Sequence, residues 1–595
     1  MALTAALTAL TTTATKRVGC TCHAHMRGST KGTGSWDQHR VVWDFTAYPA
    51  GYTYTTLDPR PGAQLGTTMN LRDGEFEGYC FAFHATHAGT YTVRCTITDS
   101  VGVTSSDTHD FVVAAGMSTV TLAAAGGGDY TTWAALHAGE GLDDGGATAV
   151  DLKVVVKSGT YDLTGTGEER VDVSNLHIQW DGISTRPIFD VAVFYSFGGA
   201  ENSTLEGVQV RSAIGTTTTP GMIQYLAANS IGIVNVNIDE WVGGSCIALQ
   251  GAVAGAGLLI LGGTYGHKKS TETVISEFYH GGNLSPDVCM VGVTAGDAVD
   301  QTNRLMYLLT SVGLTALACD FKVNSTSGRQ CVRFRGSSWA YFHRTKILDG
   351  ASVQTESTDN ACANIRVHAC YNKANGGAGG YDRFGIRVAG TATASSIGFY
   401  SCVTDSTGGT DNIGSFVATT VAGATITDIG VYSNTWIVGG GSVGNTTICD
   451  LQYSVEFDVV GNLFVMTSDF SSDVQFYEDL VAYIGVFDGN VFPIQSGLTA
   501  INTNFYEHHL GDTDTLATFN GYADIGTCFE IDESLDSNFV PATGTTITTP
   551  PGTHTDYYGN ALGSTMLAGA VQAEPSSLFS SSSLFARSTF LLLGL

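Results

Sequence analysis

Apolar and polar residues alternate over short stretches of the chain, which is the pattern of β-strands. In residues 89–99, single threonine or arginine residues separate Tyr91, Val93, Cys95 and Ile97. Side chains two positions apart lie on the same face of a strand, so this stretch is predicted to bury one face and expose the other. Several such stretches within about 100 residues are typical of a β-sandwich.

A repeat on a longer scale runs through the second half of the chain. Six segments share one register, in which an apolar residue precedes a small or amide residue by three positions. The apolar column is Phe334, Val367, Phe399, Val431, Val459 and Phe487, and the second column is Ser337, Cys370, Cys402, Asn434, Asn462 and Asn490. Successive members are 28 to 33 residues apart. This spacing predicts the rungs of a parallel β-helix with the apolar column stacked inside.

The second column predicts a turn that recurs once in each rung. Stacked asparagine side chains can hydrogen-bond along the axis of a β-helix and satisfy backbone groups of the turn. For Cys370 and Cys402 we expect buried thiols rather than a disulfide, because free cysteine is commonly a small core residue. The 13 cysteines of the chain are also too scattered for a disulfide framework.

Composition indicates a β-rich, acidic protein that neither binds nucleic acid nor spans a membrane. Charged residues make up 14% of the chain, below the roughly 25% of typical globular domains. The net charge of −28 is the opposite of the basic surface that nucleic-acid binding requires. No apolar run approaches the roughly 20 residues of a membrane span. Residues 1–18 lack the basic and apolar segments of a signal peptide, so no export leader is expected there.

No metal site is predicted from the spacing of metal-ligand residue types. Cysteine pairs with the spacing of zinc sites are absent, and one mixed cluster contains Cys20, Cys22, His23 and His25. On a strand, the cysteines are expected on one face and the histidines on the other, so we favour buried thiols over a metal site. Calcium is the one cofactor left open, and no ligand set is assigned to it.

The first 115 residues resemble the PKD-type immunoglobulin-like domain. The similarity rests on WDF at residues 43–45 and on HAGTYTVRCTITDSVG at residues 87–102, whereas the loop after Phe45 departs from the family pattern. The resemblance implies a β-sandwich module, residues 1–115, that acts as a spacer or binding module and has no catalytic role.

Residues 118–572 resemble the pectate-lyase-like β-helix proteins. GGGDYTTWAAL at residues 126–136 is similar to their opening, where a glycine-rich turn and a short helix cap the solenoid. TDYYGNALGSTMLAGAVQ at residues 555–572 is similar to their closing segment. The resemblance implies an all-β fold with an N-terminal β-sandwich and a right-handed single-stranded parallel β-helix. Residues 573–595 are predicted to form an apolar C-terminal tail.

Basic residues are concentrated in residues 268–387 of the predicted β-helix. Because rungs are about 4.8 Å apart, the outward columns there are predicted to form one solvent-facing strip. The strip contains Arg335, His368, Tyr400 and Tyr432 in one column and Arg333 and Arg366 in the next. Arginine pairs with carboxylates and aromatic rings cover sugar faces, so Arg333, Arg335, Tyr400 and Tyr432 are candidate polysaccharide-binding residues. The alternative is a solvated sheet face in which arginine stems cover aromatic rings.

Catalytic candidates lie in the same part of the chain. Hydrolysis of a glycosidic bond needs two carboxyl groups, for which Asp320 is a candidate. Cleavage of an acidic sugar by a lyase needs a base and a cation that neutralises the sugar carboxylate, and Arg366, His368 or His343 can fill these roles. No motif decides between a lyase, a hydrolase and a protein without catalytic activity.

Three functions are therefore compatible with the sequence. The first is a bacteriophage tail spike or fibre that binds host polysaccharide as a receptor, with or without depolymerase activity. The second is a secreted bacterial polysaccharide lyase or glycoside hydrolase with a PKD module. The third is a non-catalytic glycan-binding adhesin or virion decoration protein. The expected location is the virion tail or the extracellular space.

The predicted partners are a polysaccharide, acidic or neutral, further copies of this chain and other virion proteins. A monomer would seldom expose an apolar tail such as residues 573–595, so we expect the tails to be buried between subunits. The alternatives are a disordered tail and a tail that docks on the β-helix of its own chain. Parallel β-helices of the bacteriophage tail-spike class form trimers, so the first of the three functions implies three-fold symmetry.

Overall fold

The computed structural model describes residues 2–572 with internal gaps. The gaps are 62–67, 143–148, 164–167, 192–193, 199, 213–222, 227–228, 242–244, 251–255, 269–276, 282–286, 297–304, 310–311, 323–330, 349–350, 356–360, 374–383, 389–391, 406–415, 421–424, 439–445, 452–456, 467–473, 480–484, 494–505, 508–514, 524 and 532–533. Helices in the described residues are the α-helices Trp133–Glu140 and Leu516–Phe519 and the 3-10 helices Trp36–Gln38 and Leu71–Asp73. None of them has the length and apolar character that crossing a membrane requires.

Residues 2–113 form small antiparallel sheets, which together we call the N-terminal module. One sheet contains Thr8–Ala9, Thr21–His25 and Cys80–His84; another contains Phe76–Glu77, Arg40–Ala47, Gly89–Thr98 and Thr104–Val113; a third contains Thr55–Leu57 and Thr68–Asn70. The strand predicted at residues 89–99 is present as Gly89–Thr98, and its buried and accessible side chains alternate as expected.

Parallel strands begin at Ser118 and build a β-helix with three long sheets. Sheet 1 contains Ser118–Leu122, Ala149–Val156, Ser174–Trp180, Thr204–Glu206, Ile231–Val234, Gly257–Leu261, Asp287–Val291, Val312–Leu317, Ser338–His343, Cys362–His368, Thr393–Tyr400, Thr425–Tyr432, Phe457–Val460 and Phe487–Asp488. Sheet 2 contains Glu168–Val171, Phe194–Gly198, Ile223–Leu226, Ser245–Gln250, Glu277–Gly281, Met306–Leu309, Val332–Arg335, Ala351–Thr355, Phe384–Val388, Phe416–Thr420, Thr446–Leu451, Val474–Asp479 and Tyr506–Glu507.

Sheet 3 completes each rung. It contains Ile238–Trp241, Thr264–Lys268, Thr294–Ala295, Asp320–Phe321, Lys346–Leu348, Tyr371–Lys373, Val403–Asp405, Thr435–Val438, Leu463–Met466, Val491–Phe492 and Phe529–Glu530. A short parallel sheet of Thr160–Leu163, Ile188–Val191 and Gln209–Ser212 lies next to its first strand. The predicted fold class, an all-β protein with a right-handed parallel β-helix, is confirmed.

The helix Trp133–Glu140 covers the first rungs, as the resemblance at residues 126–136 predicts. The Thr132 side chain caps its first turn by accepting a hydrogen bond from the backbone N–H of Ala135, and Gly141 ends it in a left-handed conformation. Its buried residues, Trp133 and Leu136, belong to the core of the β-helix. The predicted apolar tail, residues 573–595, lies outside the described residues.

The predicted apolar column is confirmed for five of its six members. Val367, Phe399, Val431, Val459 and Phe487 pair rung to rung in sheet 1 and are buried. The placement of Phe334 is wrong, because Phe334 lies in sheet 2 and pairs with Val353. The residue stacked on Val367 is Phe342, which is nearer in sequence than the later rungs suggest.

From residue 262 onward, a corner of two residues joins each sheet 1 strand to the following sheet 3 strand. The first corner residue has a positive φ angle in every case: Gly262, Gly292, Ala318, Arg344, Ala369, Ser401, Ser433, Gly461 and Gly489. The second position contains the predicted small and amide column, with Thr345 in the place expected for Ser337.

The asparagine ladder at this corner is confirmed. Oδ1 of Asn462 accepts hydrogen bonds from the backbone N–H and from Nδ2 of Asn434, both at 3.0 Å. Asn490 receives the same pair of bonds from Asn462. The thiols of Cys370 and Cys402 are buried and free, as predicted.

The N-terminal module packs against the outward face of sheet 1. One apolar cluster combines Trp43 and Phe81 of the module with Leu259, Cys289 and Tyr341 of sheet 1. Sheet 1 is therefore apolar on both faces in this region, as expected for a sheet covered on both sides. The C-terminal segment, residues 534–572 with the hairpin Thr546–Thr548 and Thr565–Leu567, covers the later strands of sheet 3.

Candidate functional site

The predicted solvent-facing strip on sheet 1 lies beneath a second layer of the chain. Arg366, His368, Tyr400 and Tyr432 have at most 1% of their surface exposed. The prediction that these side chains face solvent is therefore wrong. They do point outward from the β-helix, but the N-terminal module and the C-terminal segment cover this face.

Arg366 is the centre of a buried network that joins three parts of the chain. Its Nε donates to the hydroxyl of Tyr341 at 3.1 Å, its Nη2 donates to the carbonyl of Gly552 at 3.0 Å, and its Nη1 donates to the carbonyl of Asp37. The guanidinium carbon lies 3.9 Å from the centre of the Tyr400 ring. The Tyr400 hydroxyl donates to Oδ2 of Asp37 at 2.8 Å. The groups expected to bind a glycan thus bind the protein's own module and C-terminal segment.

Glu77 of the module completes the network together with His343 and His368. Its carboxylate accepts hydrogen bonds from Nε of Arg40 at 2.7 Å, from the Tyr341 hydroxyl at 2.8 Å and from Nδ1 of His368 at 3.0 Å. Nε2 of His343 lies 3.9 Å from the same carboxylate, and the two imidazole rings stack with centroids 5.0 Å apart.

Burial and the neighbouring groups determine which members of this cluster are charged at neutral pH. Burial lowers the pKa of His343 well below its ordinary value and also lowers the pKa of His368. For Glu77, burial alone would raise the pKa, but the charge of Arg40 and the hydrogen bond from His368 hold it well below its usual range. The catalytic assignments of His343, Arg366 and His368 stay predictions. A substrate would reach these groups only after the module had moved away.

Arg333 and Arg335 lie on another face of the β-helix. Both belong to the sheet 2 strand Val332–Arg335 and are partly exposed. The register that placed Arg335 beside His368 is wrong, because the sheet 1 neighbour of His368 is His343. The six residues of the predicted strip therefore do not share one surface, and a binding role for Arg333 and Arg335 stays a prediction.

Asp320, the remaining predicted catalytic residue, lies in an open groove between sheet 3 and the module. The groove has a volume of about 690 Å³. Its floor contains the outward residues Asn237, Thr264, Thr294 and Asp320 of successive rungs, and its wall is module segment 55–59. We call it the ladder groove.

The ladder groove coincides with the polar half of the sheet 3 outward column. After Asp320 and Lys346, the column continues with Tyr371, Val403, Thr435, Leu463 and Val491. These later residues are mostly apolar, and the C-terminal segment packs on them. The change from polar to apolar residues along this one column is the sequence signal that marks the open surface, and the period of the rungs does not reveal it.

Charged groups lie at both ends of the ladder groove. Oδ2 of Asp320 is 3.0 Å from Nζ of Lys322 and 3.6 Å from Nζ of Lys346. At the other end, Nη1 of Arg186 donates to the carbonyl of Asn235 at 3.1 Å, and its guanidinium carbon is 5.6 Å from the centre of the Trp180 ring. These contacts hold cations in fixed positions beside a row of hydroxyl and amide groups.

No family model matches the chain, and no curated protein matches it in sequence. A family 28 exopolygalacturonase of Yersinia enterocolitica is similar in structure, with a TM-score of 0.36 and 8% identity over 89% of this chain and 99% of that chain. The pectate lyase Pel9A has a TM-score of 0.28 and 8% identity over 77% of this chain and 97% of that chain. These values are too low to bear on function, and the β-helix rests on the strand pairing of the chain itself.

Proposed function

We propose that this protein binds a polysaccharide along the ladder groove. The observation that carries the proposal is the coincidence of an open groove of about 690 Å³ with the uncovered polar half of sheet 3. From Asn237 to Asp320 the floor crosses four rungs, or about 14 Å at 4.8 Å per step. An extended chain of sugars would therefore contact several rungs at once, through hydroxyl, amide and carboxylate groups suited to sugar hydroxyls.

The cations of the groove favour a polysaccharide that carries acidic groups. Arg186 lies at one end, and Lys322 and Lys346 lie beside Asp320 at the other. The net charge of −28 repels a polyanion at long range, but salt screens this repulsion beyond roughly 8 to 10 Å. The local ion pairs would therefore decide the affinity at physiological ionic strength.

Binding without cleavage is the activity that the ladder groove supports. Hydrolysis needs a pair of carboxyl groups flanking the bond. The second carboxylate in the described lining belongs to Asp58, which is buried and receives hydrogen bonds from Nε and Nη2 of Arg60 at 3.0 and 2.7 Å. The guanidinium of Arg60 therefore holds Asp58 in a buried ion pair, and Asp58 is not available as a partner for Asp320.

The setting we propose is the receptor-binding part of a virion tail spike. A stiff β-helix fixed to an N-terminal module would hold the glycan site at a constant distance from its attachment point. A PKD-type identity of the module, a homotrimer and contacts with other virion proteins belong to this proposal. A bacterial adhesin would use the same groove in the same way, so the location of the protein separates these two settings.

A polysaccharide hydrolase is the second candidate. A cavity of about 240 Å³ nearer the C-terminal end is lined by Asp458, Asp488, Tyr432 and residues 547–551. Val460 pairs with Asp488, so the two aspartates lie on adjacent rungs two positions apart. Their Cβ atoms are then about 8 Å apart. Carboxyl groups on Cβ atoms this far apart can reach the separation of about 6.5–9.5 Å that inverting glycosidases use.

Two sets of variants test these proposals. Thr264 is exposed on the groove floor, so Thr264→Trp should block the groove while the fold is retained. The control Thr108→Trp places the same ring on an exposed strand of the module. On an array of bacterial surface polysaccharides, followed by calorimetry with the best ligand, we expect Thr264→Trp to lose at least tenfold in affinity. Equal affinities of the two variants would reject the groove.

For the hydrolase candidate, the full chain is incubated with the same ligand and new reducing ends are measured. Release that stops in both Asp458→Asn and Asp488→Asn but continues in Thr108→Trp would support cleavage at the smaller cavity. The absence of reducing ends with a bound ligand would leave binding alone as the function.

A further inference from the structure

Two histidines and a glutamate that are far apart in sequence meet where the module is packed on sheet 1. His84 ends the module strand Cys80–His84, whereas His177 and Glu206 lie on the adjacent sheet 1 strands Ser174–Trp180 and Thr204–Glu206. Leu176 and Ile178 point into the β-helix core, so alternation turns His177 outward towards the module.

The ligand atoms of the three side chains lie within 4.8 Å of one another, so small side-chain movements would bring them to the spacing of a tetrahedral metal ion. Nε2 of His84 donates to the carbonyl of Gly19, a hydrogen bond that a bound ion would replace. Nε2 of His177 is 2.7 Å from Oε2 of Glu206, and Nε2 of His84 is 4.0 Å from the same oxygen. Ligand atoms bonded at 2.0–2.1 Å in a tetrahedron are about 3.3 Å apart, and the two distances bracket this value. The imidazole rings stand nearly perpendicular, with centroids 5.5 Å apart.

The protonation states of the cluster also suit a cation. Burial lowers the pKa of His84 to about 4, so at neutral pH its imidazole is uncharged. Burial alone would raise the pKa of Glu206, but the hydrogen bond from His177 and nearby positive charge lower it, so it is a carboxylate. Neutral imidazoles and an ionised carboxylate are the forms that bind a metal ion.

His177 makes one side-chain hydrogen bond among the described residues, to Glu206, and a bound cation would replace it. Its Nε2 contacts Glu206, while its Nδ1 is buried and has no hydrogen-bond partner among the described residues. Gly19 leaves space for this ring, because a Cβ atom there would lie 2.0 Å from Nδ1. The Glu206 side chain keeps 19% of its surface exposed, which gives an ion a path from solvent and leaves room for a water ligand.

The cluster of Glu77, His343 and His368 has the same residue types but does not offer a site. Its carboxylate already accepts hydrogen bonds from Arg40, Tyr341 and His368, and the guanidinium of Arg40 supplies the balancing charge. At the other cluster, Lys153, the strand neighbour of His177 on the preceding rung, lowers the pKa of Glu206 less than the hydrogen bond from His177 does.

We propose that His84, His177 and Glu206 bind a zinc ion that fastens the N-terminal module to the β-helix. Two imidazoles, one carboxylate and a water form a common zinc coordination set. Calcium, which prefers six to eight oxygen ligands, should not bind there. No sequence motif marks this site, because His84 comes from the module whereas His177 and Glu206 come from two successive rungs of the β-helix.

Zinc chloride is the probe for the test. The full chain is treated with EDTA, dialysed and titrated with zinc by calorimetry, and its melting temperature is measured with and without zinc. We expect one zinc ion per chain, a higher melting temperature with zinc and no such effect with calcium. His84→Gln, His177→Gln and Glu206→Gln should each weaken binding at least tenfold, whereas the exposed His109→Gln should bind as the wild type does. Lys153→Gln should bind more tightly than the wild type.

A second measurement keeps the test independent of variant folding. Cobalt can replace zinc, and a four-coordinate site with nitrogen and oxygen ligands gives strong visible absorption. Anomalous scattering at the zinc edge of wild-type crystals locates the ion directly. An ion bound elsewhere, no stoichiometric zinc binding by the wild type, or unchanged affinity in all three folded ligand variants would overturn the proposal. A negative result with zinc would not bear on the proposal that the ladder groove binds a polysaccharide.

Discussion

Two outward faces of the same β-helix differ in their side chains and in whether another part of the chain covers them. The outward face of sheet 1 near Arg366 and Tyr400 carries the residue types best suited to bind sugars, yet it is buried beneath the module. The outward face of sheet 3 between Asn237 and Asp320 carries mostly small polar residues, yet it is open. The residue types of an outward column therefore do not determine whether a ligand can reach that column. The second layer of the fold does.

The largest effect is expected at Glu77 on the covered face. Glu77→Leu leaves the Tyr341 and His368 donors unpaired and Arg40 without its counter-charge. Each buried donor left without an acceptor costs about 1–3 kcal/mol, whereas the 30% exposed Arg40 can turn to solvent. Urea denaturation of the full chain measures the loss. The matched control is Asp44→Leu, which breaks the 2.6 Å ion pair with the 45% exposed Arg94 on the module surface. Surface pairs contribute about 0–1 kcal/mol, so equal losses would contradict the comparison.

A pH dependence is expected from His84, which is also on the covered face. Its pKa is about 4 in the folded protein because burial disfavours the charged form, whereas in the unfolded chain it takes up a proton near pH 6.5. The contribution of the uncharged, buried His84 to the free energy of unfolding is therefore complete above pH 6.5 and decreases as the pH falls towards 4. The loss reaches roughly 2 kcal/mol at pH 5.

Denaturation at pH 7.5 and pH 5 in the presence of EDTA checks this effect. The stability of His84→Gln should depend less on pH than that of the wild type by the same amount. His109→Gln, which changes an exposed histidine of the module, should retain the wild-type dependence. A variant of His84 with an unchanged pH dependence would show that the buried imidazole does not control the stability in this range.

A smaller effect is expected at Tyr400, whose hydroxyl donates to Asp37 beneath the module. Tyr400→Phe removes this hydrogen bond but keeps the ring under Arg366. We expect a loss of about 1–2 kcal/mol in unfolding free energy and no change in glycan affinity. Weaker glycan binding with an unchanged stability would mean that ligands do reach the covered face.

The smallest effect on stability is expected at Asp320 on the open face. Its ion pairs with Lys322 and Lys346 are partly exposed, so Asp320→Asn should change the unfolding free energy by less than about 1 kcal/mol. The same change frees two lysines, so an acidic polysaccharide should bind about two- to fivefold more tightly. A neutral one should bind more weakly, because it loses an acceptor. Calorimetry with both kinds of ligand separates these outcomes, and no change with either would place the ligand elsewhere.

The regular part of the β-helix could be predicted because the inward column repeats apolar residues at a nearly constant spacing. The stack from Val367 to Phe487 and the ladder of Asn434, Asn462 and Asn490 followed from that repeat alone. Phe334 was misplaced because the sheet 2 strand Val332–Arg335 has a similar local pattern and precedes a shorter rung.

The burial of the predicted site residues could not be read from the repeat. The period distinguishes inward from outward positions, but it does not tell which outward positions another layer covers. Arg366 binds the backbone of Asp37, 329 positions away, and of Gly552, 186 positions away. Such contacts leave no periodic trace. The ladder groove is different, because the sequence itself shows where it ends. The outward column of sheet 3 changes from polar to apolar residues at the point where the C-terminal segment begins to cover it.

The two-residue corner between sheets 1 and 3 has a consequence for how this protein can evolve. The corner has the same length in every rung from Gly262 to Gly489, although the rungs differ in total length. Insertions and deletions are thus accommodated on the other sides of the solenoid. The ladder groove borders this corner at Gly262, Gly292 and Ala318, so a lineage can lengthen or shorten its rungs without moving the groove. Single substitutions on the groove floor can then adapt the protein to a different ligand while the backbone of the groove keeps its position.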